Sequence, residues 1–113
     1  MKNIEEYKND IKFILKGMAE IEAYLDTASE HRSNGLFESF FGNIIKNDMP
    51  ELIKRIDKLT ETMKKSFMLD CLIVPVEPDK ISEVAGVYTS IEFIEHQMKT
   101  IKTKHALYYF NCK

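Results

Sequence analysis

The sequence predicts an all-α protein, built as an antiparallel helical bundle of about four helices in the order long, short, medium, long. Apolar residues recur at alternating steps of three and four near both ends of the chain, which is the period of an amphipathic helix. The main departure is the uncharged run 71–76, which contains Pro75 and is followed by Pro78. Because proline disrupts a helix interior, this run predicts an apolar, non-helical connection between the third and fourth helices.

The first helix is predicted from about Asn3 to Arg32. Its apolar positions form a heptad seam of about four repeats: Ile4, Tyr7, Ile11, Ile14, Met18, Ile21, Leu25 and Ala28. Charged and amide residues occupy most of the positions between them, so one narrow apolar stripe should face a partner helix. The sequence 33–35, Ser-Asn-Gly, should end the helix because asparagine and glycine readily adopt the left-handed conformation.

A short second helix is expected over residues 36–45, followed by a third helix that runs to about Phe67. The second helix would carry its bulky residues on one face: Phe37, Phe40, Phe41 and Ile44. It should end before Asn47, because the residue that precedes Pro50 avoids the helical conformation. Asp48 and Glu51 have the spacing of a capping box for the third helix. Continuation of the second helix into the third through a kink is the alternative.

The third helix should bury its apolar positions, Leu52, Ile53, Ile56, Leu59, Met63 and Phe67. The final helix, with Asp79 as its cap, carries a second heptad seam: Val84, Val87, Ile91, Ile94, Met98, Ile101, His105, Tyr108 and Cys112. At ~1.5 Å per residue the first and last helices would be ~45 and ~48 Å long, and the third only ~30 Å. The long pair should overhang its neighbours, and a homodimer is the predicted way to cover it.

Composition limits the class of function. The 113 residues, 44% hydrophobic and 30% charged, suit one helical-bundle domain over residues 1–113. A net charge of −2 argues against nucleic acid as a partner. No apolar run approaches the ~20 residues of a membrane-spanning helix, and the first residues resemble no signal peptide, so we expect no membrane partner and a cytoplasmic location. Abundant Ile, Lys and Asn indicate an AT-rich genome, as in a low-GC bacterium or its phage.

Metal binding is the alternative function that the sequence allows. Metal sites in helical bundles use carboxylates and histidines that project inward from facing helices. The weak candidates are Glu22, Asp26 and Glu30, which form an acidic stripe, and Glu92 with His96 on the last helix. The heptad seam places Glu92 and His96 on the outer face of that helix, and lysines 99, 102 and 104 can complement the acidic stripe. No metal or other cofactor is therefore predicted.

The sequence contains no recognisable catalytic set. Cys71 and Cys112 form neither a CxxC pair nor a metal-ligand spacing, and in a reducing compartment both are expected to be free thiols. A Gly-x-Ser-x-Gly motif and a glycine-rich phosphate loop are both missing. The interpretation of the protein as an enzyme is accordingly less favoured than an interaction role.

His105 occupies a seam position where an apolar residue is expected. Burial there would favour its neutral form and require hydrogen-bond partners for its ring nitrogens. It is therefore a candidate pH- or ligand-sensitive switch, with a satisfied core histidine as the alternative.

These patterns favour a small cytoplasmic helical protein that acts by binding another protein, as an adaptor, a chaperone-like factor or an inhibitor. The predicted interaction residues lie in the uncharged run: Leu72, Ile73, Val74 and Val76. Their side chains would either plug one end of the bundle or stay exposed and contact a partner protein.

Overall fold

A computed structural model describes residues 3–31, 44–73 and 75–111, and within these ranges the chain is helical almost throughout and contains no strand. The three long helices are α1 (Ile4–His31), α2 (Met49–Ile73) and α3 (Ile81–Asn111). A π-helical turn, Ile44–Asp48, leads directly into α2, and a 3-10 turn, Pro78–Lys80, leads into α3. The prediction of an all-α protein is confirmed.

The helix α1 begins at a capping residue. The backbone N–H of Glu6 donates a hydrogen bond of 2.9 Å to the side-chain oxygen Oδ1 of Asn3, which satisfies one of the amide groups left unpaired at a helix start. The predicted seam is buried at Tyr7, Ile11, Ile14, Met18, Ile21 and Leu25. The helix begins and ends within one residue of the predicted bounds.

The predicted second helix, over residues 36–45, falls mostly outside the described residues. From Ile44 onward the backbone is helical and stays so through Pro50. The prediction that a helix ends before Asn47 and that Asp48 caps a new one is therefore wrong, and the continuous alternative is observed from Ile44. In a regular α-helix the ring of Pro50 would clash with the carbonyl of Lys46, and the wider π-helical turn opens the helix at this place.

The helix α2 extends past its predicted end at Phe67 and finishes at Ile73. The predicted non-helical connection is therefore wrong in extent, because Cys71 to Ile73 are helical. Pro75 sets the limit, since the residue before a proline avoids the helical conformation. The buried positions of α2 are Met49, Ile53, Ile56, Thr60, Met63 and Phe67, whereas Leu52 and Leu59, predicted to be buried, are exposed.

The helix α3 starts after the 3-10 turn and is not capped by Asp79. Asp79 lies inside that turn, and Glu77 precedes the turn in an extended conformation without a capping hydrogen bond from its side chain. The predicted seam is buried at Val87, Ile91, Ile94, Met98 and Ile101. Val84 is half-buried, and the side chains at positions 108 and 112 lie outside the described residues.

The three helices form a rod of 58 × 19 × 18 Å, with α2 antiparallel to both of its neighbours. The hydroxyl of Tyr7, near the start of α1, lies 2.9 Å from Ser66, near the end of α2. Contacts between α1 and α3 join the start of one helix to the start of the other, and the end to the end. Nζ of Lys8 lies 3.8 Å from Oε1 of Glu83, and Nζ of Lys104 lies 3.8 Å from Oδ1 of Asp26. The two long helices are therefore parallel, which differs from the antiparallel arrangement predicted for four helices.

The predicted overhang of the long helices is not observed. The 25 residues of α2 and the five of its π-helical turn form one continuous helical segment of ~45 Å. This length matches the 28 residues of α1 and the 31 residues of α3. The structure thus removes the reason for which a homodimer was predicted, and an interface between two copies needs other support.

Gly86→Ala is expected to stabilise the protein by about 1 kcal/mol, because alanine favours a helix interior. A Cβ atom at Gly86 in α3 would meet no atom within 4 Å, so nothing opposes this gain. At Gly17 in α1 the same atom would lie 2.7 Å from Cδ1 of Ile56, which would have to move. Urea unfolding followed by circular dichroism should show a smaller gain, or a loss, for Gly17→Ala. Equal gains would contradict the close contact of the Ile56 side chain with Gly17.

Candidate interaction site

The end of α2 and the connection after it carry exposed apolar side chains, which we call the apolar tip: Leu69, Leu72, Ile73 and Val76. Leu72 is the most exposed of them, at 83%. Three of the four predicted interaction residues belong to this tip, and the fourth, Val74, lies outside the described residues. In the structure the tip residues do not plug the end of the bundle, because their side chains are accessible.

The apolar tip results from the phase of α2. At ~100° per residue, Leu69 and Leu72 point away from the side on which Phe67 is buried. Earlier on this outward face the exposed residues are polar, as at Lys58 and Lys65. The outward face of α2 therefore changes from polar to apolar over its last two turns. A contiguous apolar patch with a polar surround is typical of a binding surface.

A polar cluster under the apolar tip joins α1 to the last turns of α2. The side chain of Tyr7 is buried, and its hydroxyl is hydrogen-bonded to Ser66 at 2.9 Å and donates a second hydrogen bond to the carboxylate of Asp70. Its ring meets the edge of Phe67, with ring centroids 5.4 Å apart. Burial, followed by the hydrogen bond to Asp70, raises the pKa of Tyr7 to about 12. The cluster holds the end of α2 against α1 and so positions the tip.

Tyr7 was predicted to lie in the seam of α1, but its hydrogen bonds were not predicted. The available signal was the pair Ser66 and Asp70, four residues apart on either side of the apolar Phe67. Residues with this spacing share a helix face and can hold the same partner. Only the packing of the helices shows that this partner is Tyr7.

Cys71 is an exposed free thiol next to this cluster. Desolvation by neighbouring groups, and then the negative charge of Asp70, raise the pKa of the Cys71 thiol. Because the thiolate is the reactive form of cysteine, this environment disfavours nucleophilic chemistry at Cys71. Cys112 lies outside the described residues.

The residues weighed as metal ligands are not brought together by the fold. Glu92 and His96 are exposed on α3, and Glu22 is half-buried on α1. Asp26 forms an ion pair with Lys104, and the side chain of Glu30 lies outside the description. Among the side chains that the structure describes, no group of three or more histidines, cysteines and carboxylates is placed to hold a metal ion.

Two ion pairs join α2 to α3. Lys102 forms an ion pair of 2.8 Å with Asp57 of α2, and Lys64 of α2 contacts Glu95 of α3 at 3.1 Å. Both contacts lie at the surface, where ion pairs contribute little to stability. His105 is half-buried, and its role as a switch stays a prediction.

Two further observations bear on the kind of function. In the described part of the chain, no helix combines the length and the apolar character that crossing a membrane requires. Comparisons with protein-family models, curated proteins and solved structures find no match to this chain.

Proposed function

We propose that the protein acts by binding another protein, as an adaptor, a chaperone-like factor or an inhibitor, and that the apolar tip is its binding site. The exposure of Leu72 is the observation that carries this proposal. Leu69, Leu72 and Ile73 have the spacing with which an amphipathic helix anchors itself in an apolar groove. Burial of one such side chain contributes about 1.5–3 kcal/mol, so a few anchors suffice for specific binding.

The tip is bordered by charges of both signs. Glu77 and Asp79 are exposed directly after it, and Lys65 is exposed before it on the same face of α2. Such charges at a rim mainly guide association and fix the orientation of the partner. The polar cluster at Tyr7 supports the proposal further, because a binding helix that is already ordered loses less entropy on association.

The double variant Leu72→Lys with Ile73→Glu is expected to lose the partner while keeping the fold. Both side chains are exposed, so their replacement removes anchors without opening a cavity. The measurement is native mass spectrometry of the tagged protein recovered from its own host. We expect a protein that co-purifies at fixed stoichiometry with the wild type and whose retention falls at least about tenfold in the double variant.

Lys58→Glu is the matched control, because it changes the polar part of the same face of α2. It should retain the partner, and circular dichroism should show equal helix content in all three proteins. A partner that binds the double variant as well as the wild type would contradict the assignment of the tip. A mass increment that matches a metal or a small ligand would instead favour the metal-binding alternative.

A further inference from the structure

A second exposed apolar surface lies between α1 and α2 and shares no residue with the apolar tip. We call it the α1–α2 groove, and its prominent side chains are Phe13, Tyr24, Leu52 and Leu59. Phe13 is 65% exposed, although phenylalanine is normally among the most buried residues. In the part of the chain that the structure describes, α1 and α2 alone line this groove.

The floor of the groove lies at Gly17. Because Gly17 has no side chain, the side chain of Ile56 reaches α1 there, and a Cβ atom at this position would lie 2.7 Å from Cδ1 of Ile56. With Gly17 at the middle, the large side chains stand at the two ends of the groove. A helix or a second apolar surface that lies across it would meet two raised ends and a low centre.

The two ends of the groove are chemically alike. Each combines an aromatic residue of α1 with a leucine of α2, and the antiparallel helices place Phe13 with Leu59 and Tyr24 with Leu52. The eleven-residue separation of the two aromatic residues corresponds to ~16 Å along α1. A rotation of 180° about an axis through the centre of the groove exchanges the ends.

The centre of the groove carries charges of both signs on α1, Lys16 and Glu20. If a second copy is placed by the same rotation, its α1 runs antiparallel to the first, and Lys16 of each copy comes opposite Glu20 of the other. Arg55 of α2 also lines the groove and adds a further positive charge to it. The surface is thus complementary to itself in charge, which favours an interface with two-fold symmetry.

We infer that the α1–α2 groove is the interface of a homodimer in which the α1 helices of two copies pack antiparallel. The end with Phe13 on one copy covers the end with Tyr24 on the other, and the opposite charges meet at the centre. An unrelated helix could cover the apolar ends, but a second copy also supplies the two pairs of opposite charge. The groove offers only a few large apolar side chains, fewer than an obligate dimer buries, so we expect a dissociation constant on the order of micromolar.

Exchange of the central charges tests this arrangement by sedimentation equilibrium from about 1 µM to about 1 mM protein. Lys16→Glu and Glu20→Lys should each weaken self-association at least about tenfold, because like charges then meet across the axis. An equimolar mixture of the two variants should recover an affinity within a few-fold of wild type. In the mixed dimer the two carboxylates of one chain face the two ammonium groups of the other.

Recovery in the mixture separates this interface from effects within one helix, since neither chain changes on mixing. Lys99→Glu, an exposed change on α3, is the matched control and should dimerise like the wild type. The tip variant Leu72→Lys with Ile73→Glu should also dimerise normally, so failure of the proposed function is distinguishable from failure here. A wild type that stays monomeric over the whole range, or a mixture no tighter than its components, would overturn the inference.

Discussion

Ile94→Ala is expected to lower the free energy of unfolding by about 3 kcal/mol, the largest effect of a single substitution that we predict. Ile94 is fully buried at the middle of the α3 seam, within the apolar core that all three helices share. Truncation to alanine removes apolar contacts and leaves a cavity that a thin rod of three helices cannot easily close. Urea unfolding followed by circular dichroism at 222 nm measures this change.

The neighbouring residue offers a matched control. Phe93 is 52% exposed, so Phe93→Ala should cost no more than about 0.5 kcal/mol although it deletes a larger side chain. The two residues are neighbours in the same helix, so they lie at almost the same distance from its ends. Replacement of either by alanine changes the helix propensity by the same amount within a few tenths of a kcal/mol. Similar losses for both variants would show that the seam of α3 does not face the core.

The long helices could be predicted from the sequence because their seams repeat without interruption. An apolar period sustained over many turns leaves few other ways to bury the same side chains. Burial of Leu25 in α1 and of Ile94 in α3 follows directly from that period. Local capping was less predictable, as the wrong assignment of Asp79 shows, because several polar residues near a helix start can serve equally well.

The direction of the helices was less accessible, because it depends on how many reversals the chain makes. The prediction that a helix ends before Asn47 added a reversal, whereas the structure passes Pro50 with a π-helical turn and continues. The contacts place α2 antiparallel to α1 and make α1 and α3 parallel. The rule that proline ends a helix applies to a regular α-helix. It does not cover a π-helical turn, which is wider.

The extent of α2 could not be predicted from the local sequence. An uncharged run with Pro75 and Pro78 resembles a connection, yet the helix continues as far as Ile73. The contact of Tyr7 with Asp70 joins positions 63 residues apart and stabilises these last turns. Leu72 is exposed because the continuation of the helix places it on the outward face of α2. The local sequence pattern alone does not predict this exposure.

Tyr7→Phe is expected to change the pH dependence of stability more than the stability at neutral pH. Loss of the hydroxyl removes hydrogen bonds to Ser66 and Asp70 and should cost about 1 kcal/mol at neutral pH. In the wild type, folding raises the pKa of Tyr7 from 10.0 to about 12, so complete ionisation of the hydroxyl lowers the free energy of unfolding by about 3 kcal/mol. Tyr7→Phe has no hydroxyl to ionise and does not lose this stability.

The sign follows from the order in which the two states ionise. Below pH 10 the hydroxyl of Tyr7 is neutral in both states, and its contribution to stability is fully present. Between pH 10 and about 12 the unfolded chain loses the proton first, so the wild type loses stability that Tyr7→Phe keeps. Urea unfolding across this range should show the two stabilities converging and then crossing. If the stability of Tyr7→Phe stayed parallel to that of the wild type across this range, the hydroxyl of Tyr7 would be hydrated in the folded state, and the cluster would not hold the end of α2 that carries the apolar tip.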